Sequence, residues 1–147
     1  MENTALQPSQ CTCFRLRKLA RLVSQRYDRE LAPVGININQ YSILRRAAAT
    51  PRAVGDLARE LGMDRTTLSR DLKPLAAAGW VELVSGDDAR QRLIKVTASG
   101  KRLLARAQPV WRRAQDAIED SIGSDRIEAL NARLDDAAHS LDAGASA

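Results

Sequence analysis

The sequence predicts a mainly α-helical fold carrying one small β-hairpin, an α+β chain in which a single short sheet is set among helices. Apolar residues recur at three- and four-residue spacing through most of the chain, and only between Trp80 and Val96 does the pattern change to the alternation of short strands. The stretch Val54 to Leu75 reads as two short helices separated by Gly62, with the hairpin directly after them. Together these make a winged helix-turn-helix.

Composition narrows the class. The chain has 147 residues, 44% hydrophobic and 28% charged, which suits one folded domain. No run approaches the roughly 20 apolar residues of a membrane helix, and Met1 to Gln10 lacks the basic-then-apolar layout of a signal peptide. A cytoplasmic protein without a membrane partner is the expectation. The net charge of +5 favours a polyanionic partner, but only the placement of that charge can make the point.

Taken in order, residues 1–9 are polar and are expected to form a flexible arm. Residues 10–34 hold a first helix, with Phe14, Leu19, Leu22, Val23, Tyr27 and Leu31 on its apolar side, ending before Pro33. Asn37 and Asn39 offer caps for a second helix, whose Tyr41, Ile43, Leu44, Ala47 and Ala48 are expected in the core up to Thr50-Pro51. Val54, Leu57, Ala58 and Leu61 then define a third, and Gly62 supplies the permissive backbone for a sharp exit.

Asp64 is placed to cap the next helix through the amide of Thr66 or Thr67. If Leu68, Leu72 and Leu75 are buried, then Arg65, Thr66, Thr67, Ser69, Arg70 and Lys73 face outward. A helix in the major groove of DNA needs just such a division, an anchored apolar side and an exposed side of short polar and long basic groups. A solvated amphipathic helix would look similar in isolation; the glycine turn and the adjoining hairpin favour the DNA reading.

Trp80 to Val84 forms the first hairpin strand, with Trp80, or Val81 and Leu83, turned inward, and Leu93 to Val96 forms the return. The polar tip between them carries Asp88, Arg90 and Arg92, where Arg90 can follow the minor groove and Asp88 can hold its guanidinium. The alternative is a mobile hairpin with ordinary surface charge. Residues 35–96 are therefore the expected DNA-binding domain.

Thr97 caps a long helix through Leu103, Leu104, Ala107, Val110, Trp111, Ala114, Ile118 and Ile122, with a bend expected near Arg106 to Pro109. Gly123 separates a last helix carrying Ile127, Leu130, Leu134, Ala138 and Leu141, and the end, residues 143–147, is expected to fray. Residues 97–142 together with the first helix read as a dimerisation layer, so that two copies would place two reading helices about one DNA turn apart on a roughly palindromic site.

Several of these stretches resemble the MarR family of bacterial winged-helix transcriptional regulators. The matching pieces are Leu31-Ala-Pro-Val-Gly-Ile36 with Gln40-Tyr41, Asp56-Leu-Ala-Arg-Glu-Leu-Gly62, Arg65-Thr-Thr-Leu-Ser-Arg70, Leu75-Ala-Ala-Ala-Gly-Trp-Val81, Asp88-Ala-Arg-Gln-Arg92 and Val96-Thr-Ala-Ser-Gly100, in the family's order. The resemblance implies a homodimer, usually a repressor, that contacts double-stranded DNA through the polar face of the reading helix and Arg90. It also implies release by a small aromatic acid or an oxidant. Asp71 departs from the aliphatic residue many such motifs carry, and the absence of tryptophan from the first helix argues against the urate-responsive branch.

Cys11 and Cys13, near the first helix's start beside Arg15 and Arg17, are the candidate oxidant sensor, although incidental thiols would fit the same pattern. With one distant His139 they make a poor metal site, and no cofactor is expected. Phe14, Tyr41 and Trp111 are candidate walls of a ligand pocket, although residues in such positions are more often plain core. A single histidine, no phosphate loop and no nucleophile with a local base argue against an enzyme. The competing non-enzymatic reading is a winged helix used for protein or RNA contacts.

Overall fold

A computed structural model describes residues 10–145, so the expected arm at residues 1–9 and the last two residues of the expected frayed end lie outside the described residues. The order of elements is α1 (Thr12–Leu31), a 3-10 turn (Ala32–Val34), α2 (Ile38–Ala47), β1 (Arg52–Ala53), α3 (Val54–Glu60), α4 (Arg65–Ala77), β2 (Val81–Ser85), β3 (Arg92–Val96), α5 (Ala98–Ile122) and α6 (Ser124–Ala145). This is the mainly helical chain with a wing that the periodicity predicts. The chain divides into two compact units, Met1–Trp111 and Arg112–Ala147.

In the first unit, the breaks between helices are set by local chemistry. Pro33 stands at the start of the 3-10 turn, and Gly35 closes it in the left-handed region. Asn37 and Gln40 then form a reciprocal capping box: the Gln40 amide donates to the Asn37 side chain at 2.8 Å and the Asn37 amide to the Gln40 side chain at 3.0 Å. The carboxylate of Asp28 accepts from the amide of Ile38 at 2.8 Å, which ties the end of α1 to the first turn of α2. Helix α2 stops at Ala47, three residues short of the expected Thr50.

Leu31, Ile43, Leu44, Leu57, Leu68, Leu75, Ile94 and Leu103 are the largest fully buried side chains, drawn from six elements. Burying each contributes roughly 1.5–3 kcal/mol before ordering costs. The buried Gln40 side chain donates to the backbone carbonyl of Asp71 at 3.4 Å, so its polar atoms link α2 to α4 within the core. Asp71 is half-buried there, and the rotation of α4 is set by Leu68, Leu72 and Leu75 as the pattern requires.

The sheet has three strands in the order β1-β3-β2, all antiparallel. The third strand, β1, is a two-residue addition that pairs Arg52 with Ile94 and Ala53 with Leu93; it is too short to show alternation in sequence. In the hairpin, Val81 faces Val96 and Leu83 faces Ile94. Val81, Ile94 and Val96 are buried, whereas Leu83, expected inside with Val81, is 42% exposed. Leu83 shares the inner face but lies where the hairpin leaves the core and opens onto a cleft. Trp80 is half-buried and precedes the strand.

Thr97 caps α5 as expected, its hydroxyl accepting from the Gly100 amide at 3.0 Å. The helix continues through Pro109. Near its middle, Trp111 stacks on Tyr27 of α1 and Tyr41 of α2, at centroid distances of 6.3 and 5.9 Å and within 12° of parallel, and the Arg45 guanidinium sits 5.7 Å from the Trp111 ring.

Within the second unit, Arg112 pairs with Asp116 at 2.9 Å and Glu119 at 3.6 Å along the α5 surface. Ile118 and Ile127 are buried, but the α6 stripe becomes exposed toward its end, Leu134 by 38% and Leu141 by 77%. The helix persists to Ala145, so residues 143–145 of the expected frayed end are helical.

Candidate nucleic-acid interface

The turn between α3 and α4 fixes how the reading helix is presented. Gly62, with φ of +65°, leaves α3 in a left-handed conformation. Its amide bonds the Arg59 carbonyl at 3.1 Å and the Met63 amide bonds the Ala58 carbonyl at 2.9 Å, the paired bonds of a Schellman motif. Asp64 then caps α4 by accepting from the Thr67 amide at 2.7 Å. That bond holds the Asp64 carboxyl below its ordinary pKa, with the Thr67 hydroxyl, the Thr66 amide and the charge of Arg70 acting in the same direction.

Leu68, Leu72 and Leu75 are buried, and Arg65, Thr66, Ser69, Arg70 and Lys73 are exposed. At about 100° per residue, Thr66 and Arg70 lie nearly opposite the buried ridge. They form the outermost line of the helix, with Lys73 beside it. Thr67 is half-buried and its amide is committed to the cap, so it belongs to the helix start more than to the reading face.

Arg65, Ser69 and Lys73 form the flank nearer the wing. They line a cleft of about 610 Å³ with Arg90 and Arg92 of the wing, Asp56 and Arg59 of α3 and the apolar Leu72, Leu83 and Val54. The structure thus gathers Arg65, Ser69, Lys73, Arg90 and Arg92 around one concavity and leaves Thr66 and Arg70 on the adjoining outward line. Such a concavity between a helix and a hairpin, whose lining cations outnumber the single carboxylate of Asp56, itself paired with Arg59, fits a nucleic-acid backbone.

Two features differ from expectation. The carboxylate of Asp88 accepts from the backbone amide of Arg90 at 3.0 Å, and the Asp88 carbonyl accepts from the Gln91 amide at 2.8 Å. Asp88 therefore shapes the hairpin tip as an Asx turn, while no ion pair among the described residues engages the Arg90 guanidinium. Arg59, paired with Asp56, lines the cleft but was missed in sequence. Its signal was available: with Leu57 and Ala58 buried, Asp56 and Arg59 must share the outer face of α3.

Behind the site, Glu60 of α3 pairs with Arg52 of β1 and with Arg46 of α2 at 3.3 Å. Its carboxyl is held below the ordinary glutamate pKa, first by the hydrogen bond from Arg52, with the charges of Arg52 and Arg46 adding to it, against an opposing effect of desolvation that is second in size to that hydrogen bond. This cluster links three elements that carry α4. Of the residues considered for a ligand pocket, Tyr41 and Trp111 come together and Tyr27 joins them, whereas Phe14 is exposed on α1. Cys11, at the cap position of α1, and Cys13, in its first turn, are exposed thiols not joined in a disulfide.

No helix among the described residues is long and apolar enough to cross a membrane. A family model described as the MarR family matches residues 34–91. The transcriptional regulator MosR of M. tuberculosis, in a crystal structure with DNA, is 35% identical, with a TM-score of 0.77 over 90% of this chain and 98% of that one. The transcriptional repressor CouR, bound to a 23-mer DNA duplex, is 26% identical, with a TM-score of 0.77 over 87% of this chain and 92% of that one. YwoH, an HTH-type transcriptional regulator of Bacillus subtilis, is 26% identical over 92 residues, which span 59% of this chain and 64% of that relative's length.

Proposed function

The chain belongs to the MarR family, and from that premise we propose that it is a sequence-specific regulator of transcription that binds double-stranded DNA and acts as a repressor. The observation that carries this reading is the outward line of Thr66 and Arg70 standing beside a cleft rimmed by Arg65, Lys73, Arg90 and Arg92. Thr66 and Arg70 enter the major groove, Arg70 toward a guanine edge, and Arg90 follows the adjoining minor groove. Arg65, Lys73 and Arg92 hold phosphates.

The working form in this reading is a homodimer. Phe14, Leu16 and Leu22 on α1 are 53%, 46% and 52% exposed, and Leu134 and Leu141 leave an uncovered stripe on α6. A second copy covering such faces would set two reading helices about 34 Å apart and call for a roughly palindromic site. Residues 10–34 and 97–142 then serve dimerisation, and residues 35–96 serve DNA.

Release from DNA, in the same reading, follows a small aromatic effector or an oxidant. The Tyr27, Tyr41 and Trp111 cluster supports the first, and the exposed thiols of Cys11 and Cys13 support the second. Genomic footprinting with the purified protein, followed by fluorescence anisotropy on the recovered duplex and on mixed DNA, tests the core of the proposal. A recovered two-fold site bound at least about a thousandfold more tightly than mixed DNA is expected. Equal affinity for every duplex, or preference for RNA, would overturn it.

A further inference from the structure

The first turn of α3 contains a glycine, Gly55, whose missing side chain is filled by a group from the reading helix. A β-carbon built at Gly55 would lie 2.7 Å from Nη2 of Arg65, 3.4 Å from its Cζ and 3.6 Å from its Nε. The guanidinium therefore rests on the backbone of α3 where only a hydrogen stands. Gly55 and Arg65 both line the cleft, with Arg59, Lys73, Arg90 and Arg92 around the same space.

Two further observations give this contact a purpose. First, no hydrogen bond or ion pair among the described residues engages the Arg65 guanidinium, although Asp56 is adjacent to Gly55; the Asp56 carboxylate is taken by Arg59. Arg65 is thus held by packing alone, and its five N–H donors stay available to an incoming anion. Second, Arg65 begins α4, so its side chain would otherwise swing widely at the helix end, at a considerable entropic cost when it docks.

We propose that Gly55 is a positioning residue for DNA recognition: it leaves the space in which the Arg65 guanidinium lies back over α3 and faces the cleft as a phosphate clamp together with the wing arginines. Any side chain at position 55 drives that guanidinium out of the cleft. Since the contact is with the far end of a flexible side chain, the helix itself need not move. Arg65 accordingly contributes to affinity for all duplexes, while Arg70 carries sequence preference. The proposal rests on the DNA-binding reading given above.

The test is a double-mutant cycle in the full-length protein, measured by anisotropy on the footprinted and mixed duplexes across a salt series. Gly55→Ala is expected to weaken both duplexes about five- to tenfold and to lower the salt slope by about one, as loss of one phosphate contact does. In an Arg65→Ala background the same substitution should have no effect. Alanine is the better helix former, so thermal stability should hold or rise.

Arg65→Lys gives the test from the other side, because a lysine has no planar head to lay across α3, and it should also abolish sensitivity to Gly55→Ala. An equal effect of Gly55→Ala with and without Arg65, or no effect on either duplex, would overturn the role of Gly55. Failure of the unsubstituted protein to bind any duplex would overturn the DNA reading and this proposal with it.

Discussion

The hydroxyl of Thr97 donates to the backbone carbonyl of Gly79 at 2.6 Å. Thr97 also caps α5 through the Gly100 amide and bonds the Trp80 carbonyl through its own amide at 3.0 Å. One residue therefore joins the end of the reading helix, the entry to the wing and the start of α5. Thr97→Val keeps the shape and loses both hydroxyl bonds. It should destabilise the fold by about 1–2 kcal/mol. Chemical denaturation checks this, and Thr97→Ser should recover most of the loss.

The same junction excludes a side chain at Gly100. A β-carbon there would stand 2.1 Å from the Trp80 carbonyl oxygen and 2.8 Å from Val96 Cγ1. The obstacle is backbone, which cannot swing aside. Gly100→Ala should cost about 3 kcal/mol, at the upper end for overpacking, and it should lower the midpoint of urea unfolding. A midpoint equal to the unsubstituted protein's would show that α5 can draw away from the wing.

Acid should loosen the reading helix at its cap. The carboxyls of Asp64 and Glu60 both titrate below their ordinary values of 3.8 and 4.5 in the folded chain. A depressed folded pKa means that the charged form favours folding: the contribution is complete above the ordinary value and is lost as pH falls through the folded one. Stability should thus decline below about pH 4.5, less steeply in Asp64→Asn and Glu60→Gln than in the unsubstituted protein. The Glu60 part should shrink in salt because that residue is exposed. Thermal melts between pH 3 and pH 7 at two salt concentrations read both effects.

The reading line and the wing should separate in binding. Arg70→Ala is expected to weaken the footprinted site by about ten- to a hundredfold and mixed DNA far less. Arg90→Ala should weaken duplexes with AT-rich flanks most. Parallel losses on all sequences for Arg70→Ala would place that residue on the backbone.

Oxidant sensing has a direct test. In the thiol form of the proposal, peroxide releases the protein from DNA and a Cys11→Ser, Cys13→Ser double variant stays bound. Unchanged release in the double variant would eliminate these thiols as the trigger.

The reading helix was legible because its burial follows from three leucines at helical spacing, and its start from Gly62 and Asp64. Capping of α2 and α5 could be read for the same reason, since each depends on residues within four positions of one another. Strand β1 could not, because two residues carry no period and their pairing with β3 crosses the whole of α3 and α4. Leu83 also misled, since alternation gives the face of a strand but not how far the core extends beneath it. The role of Asp88 turned on a choice between a side-chain and a backbone partner, which spacing alone leaves open. Arg65 over Gly55 depends on the angle between two helices, a quantity that no local pattern contains.

The stacked rings of Tyr27, Tyr41 and Trp111 give the molecule an optical reporter of its own. The chain has only two tryptophans, and Trp80 stands apart from that stack at the mouth of the wing. Near-parallel indole and phenol rings about 6 Å apart couple their transitions, so the near-ultraviolet circular dichroism carries a signature of how α1, α2 and α5 are packed. Emission from a chain retaining only Trp80 would report on the hinge between reading helix and wing. Without any attached dye, the two colours of signal distinguish a change that begins among the helices from one that begins at the DNA.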